Sequence, residues 1–238
     1  MKTLIFRTLI ATVTMLAALA STSHAEDSAV PKLADQIQPR NPDAIWNYAG
    51  YYMEDGKAER DGVTVEEIVD TREIDGVTCY LVRLTFDYRS LPEKLMGVPL
   101  DDDSFTYFWE YFNENGSYNY SCDWELGAED LPESLSEFDL TLPYPVKAGH
   151  KYTDSSGDSW QVLNTSKEVE TPLGTFECVV YQCTYTDEAD PSSSTRDRYY
   201  QAPGVGLVRY EWYEKLDGEH FKLSSYEELY DYDLDTKN

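Results

Sequence analysis

Histidine is nearly missing from this chain. Three occur in 238 residues, and His24 falls in a leader segment, so only His150 and His220 are left for metal or proton chemistry. No His-Glu-x-x-His spacing exists, and two distant histidines do not make a zinc site unaided. No Gly-x-Ser-x-Gly elbow is present, which argues against the α/β-hydrolase arrangement, and no glycine-rich loop is placed to cradle a phosphate. Cysteine is held to four residues with no Cys-x-x-Cys pair, so neither a dithiol redox motif nor a zinc knuckle is indicated. These absences name no catalytic residue, no metal ligand and no cofactor.

Long apolar runs are equally scarce. The one at Leu9 to Ala20 is shorter than the roughly 20 residues a membrane span needs. It follows Lys2 and Arg7 and precedes Ser23-His24-Ala25, with small residues at the two positions a signal peptidase inspects. This is the grammar of an export signal. It predicts cleavage near Ala25 and a soluble protein of the periplasm or the cell exterior. No cysteine follows closely enough for a lipid anchor.

Basic residues number 19 against 45 Asp and Glu, and the leader takes two of the basic ones, leaving 17 and a net charge of −28. Such a field repels nucleic acid and anionic membrane surfaces. It suits either a solvated acidic surface or a cationic partner.

The four cysteines, Cys79, Cys122, Cys178 and Cys183, all follow the leader. In an oxidising compartment an even count permits two disulfides in three pairings. On one strand Cys178 and Cys183 would lie about 16 Å apart on opposite faces, beyond the roughly 7 Å limit for bridged Cα atoms. Any bridge is therefore expected to use Cys79 or Cys122.

What the sequence does have is a period of two. Residues 26–42, with Pro31 and Pro42, read as a flexible lead-in holding one short helix near Lys32 to Ile37. From Trp46 onward, rows such as Tyr118, Tyr120, Cys122 and Trp124 alternate with Ser117, Asn119, Ser121 and Asp123, which describes a strand with one dry and one wet face. Tyr80 to Phe86, Phe105 to Tyr111 and Val208 to Trp212 repeat the pattern. Asn115-Gly116 predicts a type I′ hairpin turn, Pro203-Gly204 a type II turn, and Ser156-Gly157-Asp158 a third reversal. Helical periodicity is confined to Ser90 to Met96, Glu129 to Phe138 and Tyr226 to Tyr230.

The expected fold is mainly β. Residues 43–238 form a single domain built on one curved, half-barrel-like antiparallel sheet of about eight to eleven strands. A short helix or loop covers part of its concave face. Gly76-Val77-Thr78-Cys79-Tyr80-Leu81-Val82 is similar to Gly174-Thr175-Phe176-Glu177-Cys178-Val179-Val180, and each precedes an aromatic strand with a glycine turn. Two repeated halves, 46–139 and 140–226, are one reading of this, with Leu140 to Lys151 as the crossover.

Among the carboxylates, Glu110 in Phe108-Trp109-Glu110-Tyr111 is the candidate of interest, because burial among aromatics favours an acid's role. The plain alternative is a carboxylate on the wet face of its strand. Asp101-Asp102-Asp103 and Asp231-x-Asp233-x-Asp235 have a calcium-like look, but the second has neither the glycine nor the twelfth-position glutamate of an EF-hand. Three Asn-x-Ser/Thr sites, at Asn115, Asn119 and Asn164, matter only in a eukaryotic secretory route. Twenty tyrosines and five tryptophans suit cross-strand pairing or a partly wet, ligand-facing surface.

Thr171-Pro172-Leu173-Gly174-Thr175-Phe176, followed by Tyr199-Tyr200-Gln201-Ala202-Pro203-Gly204-Val205-Gly206-Leu207-Val208, resembles a TPxGxF…YxAPGVGxV pattern of uncharacterised exported bacterial β proteins. Those proteins are similar in architecture to lipoprotein carriers of the Lol type. The resemblance implies a curved antiparallel sheet that cups an apolar ligand, and it carries over no catalytic residue. The leading expectation is thus an exported, non-catalytic binding or structural protein with an aromatic-lined groove for an apolar or amphipathic small molecule, or for a protein partner. A secreted carbohydrate-binding or carbohydrate-cleaving protein and an acidic module for a cationic partner are the alternatives.

Overall fold

A computed structural model describes residues 41–87, 104–123, 127–144, 146–185, 194–216 and 220–234. The leader, the lead-in helix, the Ser90 to Met96 piece, Asp101-Asp102-Asp103, Trp124 and Asp235 lie outside the described residues. Twelve strands form one sheet: β1 Ile45–Glu54, β2 Lys57–Ile74, β3 Val77–Asp87, β4 Ser104–Asn113, β5 Gly116–Ser121, β6 Asp139–Pro143, β7 Lys151–Thr153, β8 Ser159–Thr171, β9 Gly174–Tyr185, β10 Thr195–Ala202, β11 Gly206–Leu216 and β12 His220–Asp233. Their order is β6-β5-β4-β3-β2-β1-β12-β11-β10-β9-β8-β7, and every pairing is antiparallel. Two six-stranded meanders therefore lie side by side, running in the same sense and joined where β1 meets β12.

Local chemistry explains the reversals. Asp55-Gly56 and Asp75-Gly76 carry positive φ at both positions, 50° and 77° in the first and 50° and 78° in the second. These are the type I′ turns that right-twisted strands prefer, and they set the long β1-β2-β3 meander. The reversal after β4 differs from the expected Asn115-Gly116 turn. It is made by Glu114 and Asn115, and Gly116 is already the first residue of β5, opposite Asn113. Asn113 Oδ1 accepts the backbone N–H groups of Asn115 at 2.7 Å and Gly116 at 3.2 Å, an Asx turn that needs no left-handed residue. Pro203-Gly204 behaves as expected, with Gly204 at φ 80° and Val205 N–H donating to Ala202 O at 3.1 Å.

The sheet exceeds the expected strand count by one. Tyr226 to Tyr230 is part of strand β12, pairing with β1 and β11 on either side, so ladder bonds override its weak helical period. Glu129 to Phe138 holds one single-turn 3₁₀ helix, Leu135–Glu137, and another, Gly127–Glu129, ends at its start. They cover the opposite face from the one expected. Leu81 stands opposite Trp109 and Trp109 opposite Tyr120, while Tyr111 faces Tyr118. This row joins Ile74, Cys79 and Phe138 in a core cluster on the side turned away from the cavity described below. Trp109 Nε1 donates to Asp130 O at 2.9 Å, Tyr120 donates to the Asp130 carboxylate at 3.1 Å, and Phe138 packs edge-on to Tyr111.

Two further clusters complete the core. One, containing Trp46, Tyr48, Ile68, Val169, Cys178, Val208 and Leu229, spans the β1/β12 junction. The other fills the inside of the second meander with Trp160, Val162, Val179, Tyr181, Cys183 and Leu142 of β6. Leu142 reaches that cluster because the sheet curls until its two edge strands meet. Tyr152 of β7 donates its hydroxyl to Thr141 O of β6 at 2.5 Å, and Ser155 Oγ donates to Asp139 at 2.5 Å. No backbone ladder joins β6 to β7, so the sheet stays an open curl and not a barrel.

All four cysteines are free thiols. Cys79 and Cys122 pack in one cluster, Cys178 in a second and Cys183 in a third, and no disulfide joins any of them. Cys178 and Cys183 do share β9.

Candidate functional site

Strand alternation builds the concave surface. In β3, Tyr80, Val82 and Leu84 stand opposite Glu110, Phe108 and Thr106 of β4, and Glu110 and Phe108 stand opposite Asn119 and Ser121 of β5. Ser117 and Asn119, in the row read from sequence as the wet face, thus border a hollow, while Ser121 at its edge is exposed. Ser117 is only 4% exposed. The matching aromatic row packs beneath the 3₁₀ segments.

The hollow has two connected parts. The first, about 370 Å³, is lined by Tyr48, Glu66, Phe108, Glu110, Asn119 and Gln201, among others. The second, about 460 Å³, is lined by Phe86, Tyr210, Trp212 and the glycines Gly50 and Gly62. Leu84, Tyr199 and Glu227 border both. Gly50 of β1 sits opposite Gly62 of β2 on one side and opposite Glu227 of β12 on the other. Two facing glycines put no side chain into the middle of the sheet, and that leaves room there. Trp212, 42% exposed, borders the second part.

Polar groups form the floor. Glu66 is 5% exposed, Glu110 3% and Gln201 4%. Tyr48 Oη lies 3.4 Å from Glu66 Oε2, and Thr64 Oγ1 donates to Glu227 Oε1 at 2.7 Å. Gln201 Oε1 and Asn119 Oδ1 are buried with no hydrogen-bond partner among the described residues. Among those residues the first hollow is lined by no Lys, Arg or His.

Tyr199 and Tyr210 belong to a tyrosine cluster around Asp197. Burial pushes both hydroxyls far above the ordinary tyrosine range, and the neighbouring Asp197 adds to it. They stay protonated and act as donors. Burial also raises Asp197, while hydrogen bonds from Tyr210, Tyr185 and Tyr199 pull it back.

The sequence candidates fall as follows. Glu110 faces the first hollow, beside Phe108 and across from Asn119. His150 and His220 are exposed, His150 near the Tyr152 ring at 6.2 Å. Asp231 and Asp233 lie exposed near the end of β12. Among the described residues, no three His, Cys, Asp or Glu side chains are grouped to hold a metal ion. The cysteine thiols sit in apolar surroundings that push Cys79 and Cys122 up to about 11 and Cys178 and Cys183 up to about 12. At neutral pH they are thiols, not thiolates, and weak nucleophiles.

Sequence reading missed Glu66, Gln201, Glu227 and the Gly50/Gly62 pair. The available signal was in β2, where Gly62, Thr64 and Glu66 are buried while Val63 and Val65 are half-buried. A second polar group on β10–β12 is also new. Glu211 takes Arg209 at 2.9 Å and the Tyr200 and Tyr213 hydroxyls at 2.7 Å each. Its members satisfy one another.

A family model described as DUF3108-like matches residues 144–229, a stretch that contains both segments of the TPxGxF…YxAPGVGxV pattern. No curated protein matches the chain. Two solved structures are similar. One, from Bacteroides fragilis, is described as "a putative exported protein with YmcC-like fold", with 16% identity, a TM-score of 0.46, and coverage of 82% of this chain and 98% of that one. The other, from Parabacteroides distasonis, is described as "a putative lipoprotein", with 15% identity, a TM-score of 0.45, and coverage of 83% and 98%.

Proposed function

We propose that this is an exported, non-catalytic binding protein whose curled sheet holds one amphipathic molecule in the hollow between its two meanders. The observation that carries the reading is the composition of that hollow. Rings of Tyr48, Phe86, Phe108, Tyr199, Tyr210 and Trp212 surround a buried polar floor. Ligand pockets of about 300–1,000 Å³ combine an apolar wall with a few placed polar groups in this way. The inside of the second meander is filled by its own core.

Native mass spectrometry of the protein purified from its own host tests the reading. A bound mass beyond the polypeptide is expected, together with a shift of tryptophan emission on extraction, since Trp212 borders the hollow. The bare polypeptide mass under gentle conditions, with no spectral change on adding apolar probes, counts against it.

A further inference from the structure

The outer side of the second meander carries a groove of about 500 Å³ whose charge is the reverse of the molecule's. Residues directly opposite on paired strands share a face, and so do alternate residues along each strand. Across β7, β8, β9 and β10 one row therefore reads Lys151, Gln161, Gln182 and Arg198, and the next reads Thr153, Ser159, Thr184 and Arg196. Tyr181 and Cys183, which alternate with Gln182 and Thr184, belong to the core inside the meander, so this groove is separate from the hollow. Lys151, Arg196, both glutamines and the three hydroxyl residues line it. Among the described residues no Asp or Glu does, in a chain with 45 of them against 19 Lys and Arg.

The fold leaves the central cation unused. Arg196 Nε is buried with no hydrogen-bond partner among the described residues, and its guanidinium lies over the Phe221 ring at 3.7 Å. Buried donors are rarely left unmet, and each such case asks for an explanation. Arg198 donates its Nε to Gln182 Oε1 at 3.1 Å and its Nη1 to the Tyr213 hydroxyl at 2.9 Å. The first of these bonds occupies the Gln182 carbonyl and leaves its amide nitrogen as a donor beside Arg196. The carboxylate opposite Arg198 on β11, Glu211, is taken by Arg209 and by the Tyr200 and Tyr213 hydroxyls. Burial, and after it the Arg198 charge, lowers the Arg196 pKa, so its charged form is held at a cost that an anion would offset.

A guanidinium fork matches the paired oxygens of a carboxylate or a phosphate. Nucleic acid and anionic membranes are turned away by the field of the whole chain. A bare inorganic anion is far smaller than the groove, and its remaining lining of amides and hydroxyls suits a guest rich in hydroxyl groups. We propose that this groove binds a small hydroxylated molecule carrying one oxyanion group, a sugar acid or a sugar phosphate. The Arg196 guanidinium and the Gln182 amide receive the anion, and Gln161, Thr184 and Ser159 receive the hydroxyls.

Titration of the whole mature chain followed by backbone amide NMR, at fixed ionic strength, tests this. The probes are glucuronate, glucose 6-phosphate, glucose and inorganic phosphate. At least one of the two sugar anions is expected to shift amides of β8, β9 and β10, and to bind roughly tenfold more tightly than glucose or inorganic phosphate. A response to glucuronate alone identifies the anion as a carboxylate, to glucose 6-phosphate alone as a phosphoryl group, and to both as either. Arg196→Met keeps an apolar stem over Phe221, removes the charge, and should weaken the sugar anion roughly tenfold. Should Arg196→Met melt early, Lys151→Met on the exposed edge strand should weaken it about threefold. Lys57→Met, which takes the same charge from an exposed position at the start of β2, should change nothing. The proposal is overturned if no probe binds, if glucose or inorganic phosphate binds as tightly as the sugar anions, if the shifts fall outside β8–β10, or if no folded groove variant responds. Each of these outcomes leaves the reading of the hollow standing, because the two sites lie on opposite sides of the sheet.

Discussion

Burial penalises the charged form of a carboxylate, and Asp197 is such a group. It is 8% exposed, and burial holds its pKa above the ordinary carboxylate value. The unfolded chain gives up this proton first, so the stabilising share of Asp197 is complete below its unfolded pKa and is lost as pH rises through the folded one. Asp197→Asn should therefore raise the melting temperature at pH 7, and the gain should shrink as pH falls toward 4. A gain of the same size at both pH values would mean that the charge is not the cause. The thiols follow a parallel logic. With burial pushing Cys79 and Cys122 to about 11 and Cys178 and Cys183 to about 12, iodoacetamide at pH 8 should leave the native protein unlabelled. Unfolding in urea without reductant should admit four labels. Two labels would show a bridge. At this scale Glu110 was legible as a carboxylate among aromatics. Gln201 was not, because nothing in Tyr199-Tyr200-Gln201 says which side of β10 faces the hollow, although Tyr199 and Gln201 keep the period of two and both line it.

For the strands, alternation located the rows but not their inside. The usual assumption places apolar residues inward and polar ones outward. On β5 the aromatic row packs beneath the 3₁₀ segments, while Ser117 and Asn119 of the polar row face the hollow and Ser121 stays exposed. On β2 the assumption inverts, with Thr64 and Glu66 more buried than Val63 and Val65. A sheet that encloses a polar hollow reads inside out. The two layers can be separated by experiment. Phe138 packs against Tyr111 and Tyr120 on the side away from the hollow. Phe138→Ala should cost about 3–5 kcal/mol of stability and leave ligand affinity unchanged below the melt. Gly116 is different, because its place is fixed by close approach. A Cβ there would stand 2.4 Å from Leu142 O and 2.5 Å from Leu140 Cδ1. Leu142 O is backbone, so β6 must part from β5 to make room. Gly116→Ala should cost about 1–3 kcal/mol, seen as a lower melting temperature with β6 amides exchanging faster.

Across the whole molecule, the β1–β12 pairing decides how the hollow is enclosed. Because the first strand of one meander zips to the last of the other, the seam between β6 and β7 is left as the place where the curl ends. The similar segments at Gly76 to Val82 and Gly174 to Val180 fall on the third strand of each meander, β3 and β9. The seam lies between the halves in sequence, where Pro143 ends the edge strand β6 in the way prolines allow. Side chains hold it in place of a ladder. Tyr152 bonds Thr141 O, stacks on Trp160 at 5.7 Å, and through that ring meets Tyr199, which borders both parts of the hollow. Tyr152→Phe removes the bond and keeps the stack. A single hydrogen bond is worth about 0.5–1.5 kcal/mol, so the global melting temperature should fall only slightly. Exchange should report the change locally, with β6 and β7 amides less protected and β1, β2 and β12 unaffected, since those strands are paired on both sides. If the ligand enters by parting β6 from β7, its association and dissociation rates rise together in the variant while the dissociation constant holds. An unchanged pair of rates beside faster edge exchange would place the entrance at the Trp212 end instead.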